Sequence, residues 1–95
     1  MDESTRRVIE THFNVDGSPK LVMYGARWCP YCKKAREFFQ DKGIAFTELD
    51  VEQDPEAQAR YQLIRSSGYP LIYVGAKRFE GFDQRGILQA LASVK

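Results

Sequence analysis

Cysteine and histidine are scarce in this sequence, which has two cysteines and a single histidine, His12, among 95 residues. A structural zinc ion usually takes four such ligands, so we do not expect one chain to build a zinc site. Apolar runs are only a few residues long, far below the roughly 20 residues that span a bilayer. Lys and Arg number 14 against 13 Asp and Glu, a formal net charge of +1. This balance gives no electrostatic reason to expect binding to nucleic acid or to an anionic membrane.

The length and composition fit one soluble globular domain. Hydrophobic residues make up 43% of the chain and charged residues 28%, which is ordinary for this class. Two domains would each be too small for a core. Residues 1–7 lack the apolar core of a signal peptide, so we expect a cytoplasmic, reducing environment. In that environment a pair of cysteines is more often catalytic or metal-binding than structural.

Both cysteines lie in one short segment, Trp28-Cys29-Pro30-Tyr31-Cys32. The segment follows an apolar run, residues 21–24, and opens a stretch of helical period. Two thiols at this spacing can close a small disulfide ring. At a helix N-terminus the first sulfur lies near free backbone N–H groups and the positive end of the helix dipole, which favour a thiolate. Since the thiolate is the nucleophile in disulfide exchange, the motif predicts redox chemistry.

The rest of the pattern predicts the element order helix, strand, helix, strand, helix, strand, strand, helix. The predicted ranges are 4–13, 20–24, 31–42, 44–51, 55–64, 71–74, 78–80 and 84–94. Strand–helix–strand implies a parallel pair, and the final hairpin adds an antiparallel pair. We therefore expect an α/β domain with a mixed four-stranded sheet flanked by helices over residues 20–95. Residues 1–19 are predicted to form a helical extension packed on it.

Within the second helix, the spacing of Tyr31, Ala35, Phe38 and Phe39 predicts a buried stripe. Asp54 and Asp83 are predicted caps of the two helices that follow. His12 is distant from the cysteines in sequence, and we expect no chemical role for it.

Cys29-Pro30-Tyr31-Cys32, placed between a strand and a helix, resembles the dithiol motif of the glutaredoxin family. Two more marks follow in the family's order: Tyr69-Pro70 before the third strand and Gly81-Phe82-Asp83 before the last helix. The resemblance runs from about residue 20 to residue 94. It implies a thioredoxin-like fold, a cis bond before Pro70, and thiol–disulfide oxidoreductase activity. It also implies a monomer with glutathione as co-substrate, no tightly bound cofactor, and disulfide-containing or glutathionylated proteins as partners.

The resemblance assigns roles residue by residue. Cys29 would be the nucleophile and Cys32 the resolving thiol. The implied glutathione contacts are the backbone of Tyr69 beside Pro70, the ring of Tyr31, the carboxylate of Asp83, the backbone N–H of Phe82, and the side chains of Arg27 and Gln62.

Several positions depart from the family pattern. Ala26 stands where a lysine is usual, Ser67 where many members have arginine, and Glu80 where glycine is common. Tyr69 replaces a small β-branched residue, so its ring is expected to narrow the groove in which the family binds glutathione. These departures keep a second interpretation open, a glutaredoxin-like donor to ribonucleotide reductase that is recharged by thioredoxin reductase. A third is a non-catalytic module that binds a metal or an iron–sulfur cluster, which two subunits could share.

Overall fold

A computed structural model of the chain describes residues 2–64 and 67–93, and it contains the eight elements in the predicted order. They are α1 (Glu3–Glu10), β1 (Leu21–Gly25), α2 (Pro30–Asp41), β2 (Thr47–Asp50), α3 (Pro55–Leu63), β3 (Leu71–Val74), β4 (Lys77–Glu80) and α4 (Gln84–Ala92). Val94, the predicted end of the last helix, lies outside the described residues. Among the described helices, none has the length and apolar character needed to cross a membrane.

The four strands form one mixed sheet in the order β2-β1-β3-β4. β1 runs parallel to β2 and antiparallel to β3, and β3 pairs with β4 as a hairpin. The predicted mixed sheet is therefore confirmed. Since β1 lies inside the sheet, its end at Gly25 meets the end of β2 on one side and the start of β3 on the other.

Successive residues of β1 enter two different cores because strand side chains alternate between faces. Leu21 and Met23 join the core under α2 and α4, while Val22 and Tyr24 join the core under α1 and α3. All five residues of β1 are buried, as predicted for a central strand covered on both faces.

Several element boundaries differ from the prediction, among them the end of α1, which lies at Glu10 rather than at residue 13, and the starts of β2 and α1. β2 begins at Thr47 rather than at residue 44, because the Ile44 N–H bonds to the Phe39 carbonyl and so closes α2 instead of pairing with β1. α1 begins earlier, at Glu3, because the Asp2 carboxylate accepts the Thr5 N–H at 2.8 Å and caps the helix.

The predicted stripe of α2 was wrong at Tyr31, whose side chain is 60% exposed. The buried face consists of Cys32, Ala35 and Phe39, with Phe38 partly buried beside it. These three lie at i, i+3 and i+7, and Tyr31 is about 100° away from Cys32 around the helix, pointing to solvent.

The segment that follows α1 is held by a buried histidine. His12 is only 1% exposed, and its Nε2 lies 2.7 Å from the Tyr24 hydroxyl while its Nδ1 lies 3.1 Å from the Gly75 carbonyl. Because a carbonyl only accepts, Nδ1 carries the proton and the Tyr24 hydroxyl donates to Nε2. Burial lowers the pKa of His12 from 6.5 to about 4. The imidazole is therefore neutral at physiological pH and serves as a structural link.

Protonation of His12 should destabilise the fold as the pH falls. The unfolded chain takes up the proton near pH 6.5 and the folded chain only near pH 4, so stability is lost across that interval. We expect a loss of up to about 2–3 kcal/mol from this group. Urea unfolding of the native protein and of His12→Gln across the interval measures it. An equally steep pH dependence in both proteins would contradict the assignment.

Candidate active site

Four chain connections meet at the end of the sheet where β1 finishes. They are the turn from β1 to α2, the loop from β2 to α3, the chain leading into β3, and the link from β4 to α4. Sheet pairing brings them together, since Gly25 pairs with Asp50, Tyr24 with Leu71, and Leu71 with Glu80. The predicted site residues on these connections therefore share one end of the sheet, although they are far apart in sequence.

Cys29 is the N-cap of α2. Its backbone is extended, and its Sγ accepts the Cys32 N–H at 3.2 Å. Pro30 follows as the first helical residue, where its missing N–H costs no hydrogen bond. The sulfur of Cys29 thus occupies the position at which a cap carboxylate or hydroxyl usually stands, close to the positive end of the helix dipole.

Cys32 faces inward and has no exposed surface. Burial, followed by its hydrogen bond with Cys29, raises the pKa of the Cys32 thiol to about 12. The two sulfurs are therefore chemically different, because Cys32 stays protonated at neutral pH while Cys29 lies at the helix start. Both cysteines are free thiols in the structure.

Gly25 makes room for the buried thiol. An added Cβ at Gly25 would lie 2.7 Å from the Cys32 Sγ, far inside van der Waals contact. The last residue of β1 must therefore lack a side chain for α2 to pack this closely. Sequence reasoning assigned Gly25 only to a loop, because a close approach between two elements leaves no local pattern.

Exposed aromatic rings flank the cysteines. Cys29 itself is only 3% exposed, whereas its neighbour Trp28 is 65% exposed. Tyr31 extends from the first turn of α2 with the Lys34 ammonium 5.2 Å from the centre of its ring. The residues on either side of Cys29 in the motif therefore present their rings to solvent, and the contact of Tyr31 with a substrate stays a prediction.

The Tyr69-Pro70 peptide bond is cis, as the resemblance implied. Pro70 is buried, and its carbonyl accepts the Gly81 N–H at 2.9 Å, which ties the start of β3 to the link before α4. The Tyr69 ring is half-buried between those of Trp28 and Tyr61, with centroid distances of 5.8 Å and 5.4 Å.

Asp83 caps α4, as predicted. Its Oδ1 accepts the Gly86 N–H at 3.0 Å, and a Cβ at Gly86 would lie 2.3 Å from Oδ2. The side chain of Phe82 is partly buried and packs against Phe38 and Phe39, so the contact of its backbone N–H with a ligand remains a prediction. The Asp83 carboxylate stays exposed and could still receive an ammonium group.

Arg27 and Gln62 are exposed on separate elements, the turn before Cys29 and helix α3. Their contacts with a substrate remain predictions. Glu80, which stands where the family often has glycine, lies 3.3 Å from the Arg78 guanidinium. The ion pair reduces the repulsion that Glu80 would exert on an anionic ligand.

Sequence reasoning missed Glu52, which follows β2. Its carboxylate Oε1 accepts the Trp28 indole N–H at 2.8 Å, and its Oε2 lies 3.5 Å from the Tyr69 hydroxyl. Its sequence neighbours predicted only a helix start, so no local signal pointed to this contact. In residues 2–64 and 67–93, no three His, Cys, Asp or Glu side chains are grouped to hold a metal ion.

Comparison with known proteins gives one consistent result. The family model described as Glutaredoxin matches residues 21–79. The chain is similar to a glutaredoxin of Pseudomonas aeruginosa, with 35% identity over 74 residues that cover 75% of this chain and 86% of the relative. It is also similar to glutaredoxin 3 of Escherichia coli K12, with 34% identity over 73 residues covering 74% and 86%.

A solved structure supports the fold. The buckwheat glutaredoxin–glutathione complex aligns with a TM-score of 0.64 and 18% identity, covering 97% of this chain and 90% of that one. At this identity the likeness shows the fold alone, and it confirms the predicted thioredoxin-like architecture.

The contact between Gly25 and Cys32 predicts a cost for any side chain at position 25. Gly25→Ala should destabilise the protein by about 1–3 kcal/mol, because the methyl group displaces a buried sulfur in a packed core. Gly68→Ala is the matched control, since an added Cβ there meets no heavy atom of the described residues within 4 Å. Urea unfolding of both variants measures the difference. A Gly25→Ala protein as stable as the control would contradict the packing.

Proposed function

Because the chain belongs to the glutaredoxin family, whose members are thiol–disulfide oxidoreductases, we propose that it reduces protein disulfides and glutathione mixed disulfides with electrons from glutathione. The observation that carries the proposal is the inequality of the two sulfurs. Cys29 caps α2 and receives a backbone hydrogen bond, whereas burial raises the pKa of Cys32 to about 12.

The reaction follows from this inequality. The Cys29 thiolate attacks one sulfur of the substrate disulfide, the substrate S–S bond breaks, and the released half leaves as a thiolate that takes up a proton. Cys32 then loses its proton and attacks the Cys29 sulfur, which expels the second half as a thiolate. The substrate gains two electrons and the protein is left with a Cys29–Cys32 disulfide. Two glutathione thiols return it to the dithiol state and become glutathione disulfide.

For a glutathionylated protein the second step differs. Attack by Cys29 on the glutathione sulfur releases the protein thiol and leaves glutathione on Cys29, and a second glutathione then removes it. This route uses one cysteine, so Cys32 is dispensable for it.

The placement of glutathione rests on the family assignment and on three features of this chain. Tyr69 lies just before β3, and by the family pattern its backbone would pair with a bound peptide as an added strand does. The exposed Asp83 carboxylate at the start of α4 suits the ammonium of the γ-glutamyl group. Arg27 and Gln62 are the proposed contacts for the glycine carboxylate. The buckwheat structure is a complex of a protein with this fold and glutathione.

The proposal includes a monomer in the cytosol without a tightly bound cofactor. Glutathione keeps thiols reduced in that compartment, which suits a protein that starts its cycle as a dithiol.

A second electron source, thioredoxin reductase, is favoured by one observation. Glu52 places a carboxylate against Trp28 and Tyr69, beside the proposed glutathione groove. A negative charge there opposes the carboxylates of glutathione, and Ala26 and Ser67 omit two cations usual in the family.

Substitution of each cysteine in turn should distinguish the roles of the two thiols. Cys29→Ser should abolish both reactions, because a serine hydroxyl neither ionises at neutral pH nor forms a disulfide. Cys32→Ser should retain deglutathionylation and lose dithiol reduction of proteins. Turnover of a glutathionylated peptide and of a protein disulfide measures the two reactions. Full activity of Cys29→Ser in either assay would overturn the proposed function.

Electron sources can be compared in parallel. We expect glutathione with glutathione reductase to support faster turnover of a neutral small disulfide than thioredoxin reductase does, each followed by NADPH consumption at matched protein concentration. The reverse order would assign the protein to the thioredoxin reductase route.

A further inference from the structure

Hydrogen bonds fix the loop between β2 and α3, which carries Glu52 beside the active site. The Val51 N–H donates to the Gly25 carbonyl at 2.9 Å, so the loop is attached to the end of β1. The Asp50 carboxylate then accepts the N–H groups of Glu52 and Gln53 at 3.0 Å and 3.1 Å. With both ends of this turn bonded, the backbone position of Glu52 is set by the sheet.

The Glu52 carboxylate contacts two aromatic residues, Trp28 and Tyr69, that are next to functional positions in the sequence. Trp28 directly precedes Cys29, and Tyr69 directly precedes Pro70. Their rings meet edge to face at 5.8 Å, and the Glu52 carboxylate contacts the indole N–H of one and the hydroxyl of the other. We call Trp28, Glu52 and Tyr69 the aromatic wall.

The wall carries negative charge. The Tyr69 hydroxyl keeps its proton and points it toward Glu52, and desolvation together with the negative charge of Glu52 raises the pKa of Tyr69 further. Arg27 precedes Trp28 in the sequence and its side chain is exposed; Glu52 is exposed as well, but it is held by its contacts with Trp28 and Tyr69. A carboxylate fixed by hydrogen bonds acts at shorter and more constant range than a solvated guanidinium.

We propose that Glu52 determines substrate specificity, so that the site prefers disulfides flanked by lysine or arginine over disulfides flanked by acidic residues. The inference rests on the proposed function, because it concerns the polypeptide on either side of the disulfide that Cys29 attacks. Glu52 acts in two ways. It holds the rings of Trp28 and Tyr69 in place, and its charge attracts a cationic flank.

The test uses two peptide dimers, each made of two identical peptides joined by one disulfide. The peptides differ only in the residues next to cysteine, lysine in one and glutamate in the other. A symmetrical dimer gives the same product whichever sulfur is attacked. Pre-reduced protein is mixed with excess dimer, and the rate of a single turnover is followed. Each rate is divided by that of dithiothreitol with the same dimer, which removes the intrinsic effect of the charges on the leaving thiol.

The native protein should react faster with the lysine dimer, by about fivefold, as expected for unit charges within roughly 8 Å at a partly solvated surface. In Glu52→Gln the preference should fall below about twofold, with each variant's two dimer rates referred to its own rate with the neutral hydroxyethyl disulfide. Glu10→Gln, the same charge change on α1 outside the site, should keep the native preference.

Trp28, the single tryptophan of the chain, reports the position of the wall. A glutamine at position 52 still offers an oxygen to the indole N–H, so the fluorescence of Glu52→Gln should resemble that of the native protein. Glu52→Ala removes both acceptor and charge, so its emission should change and its preference should also be lost. These two variants separate the charge from the position of the rings.

Each result decides the proposal. Equal rates of the native protein with both dimers, or an undiminished preference in Glu52→Gln, would overturn it. If the neutral disulfide is still reduced in that case, the proposed function stands and only the role of Glu52 fails. A native protein that reduces neither the dimers nor the neutral disulfide overturns both.

Discussion

The hydrogen bond from the Cys32 N–H to the Cys29 sulfur is the interaction on which the site depends. The bond lies within the first turn of α2, and the lack of a side chain at Gly25 leaves room for the Cys32 sulfur beside the strand. The same turn places one sulfur at the helix start and the other in the core. A pair of thiols so close in sequence would otherwise be nearly equivalent. In the proposed mechanism, their different surroundings let Cys29 attack while Cys32 stays protonated until a mixed disulfide has formed.

Around this pair the sheet assembles residues from connections that are remote in sequence. Trp28, Glu52 and Tyr69 come from three of them and contact one another, while Asp83 comes from the fourth. The positions of the cysteines are set by the buried strand β1 and the start of α2. The positions of these outer residues are set by the loops that carry them. The chemistry and the choice of partner are therefore carried by different parts of the fold.

The element order, the mixed sheet, the caps of α3 and α4 and the cysteine motif could be predicted, because each has a local signature in residue type or period. Tyr31 was misplaced because a stripe read from period alone cannot tell which of two adjacent residues faces the sheet at a helix start. The contacts of Glu52 and His12 could not be predicted for a different reason. Their partners, Trp28 and Tyr24, belong to other elements, and no local pattern reports a contact that only tertiary structure creates.

The buried link from His12 to Tyr24 has a consequence for how accurately the sheet assembles. Tyr24 points to the face covered by α1 and α3, and its hydroxyl meets the imidazole there. A shift of β1 by one residue would turn every side chain to the opposite face. The hydroxyl would then enter the apolar core under α2 and α4, and the imidazole would lose its partner while still buried. The N-terminal segment therefore favours the native register, since the hydrogen bonds of His12 can all form only on a correctly aligned sheet.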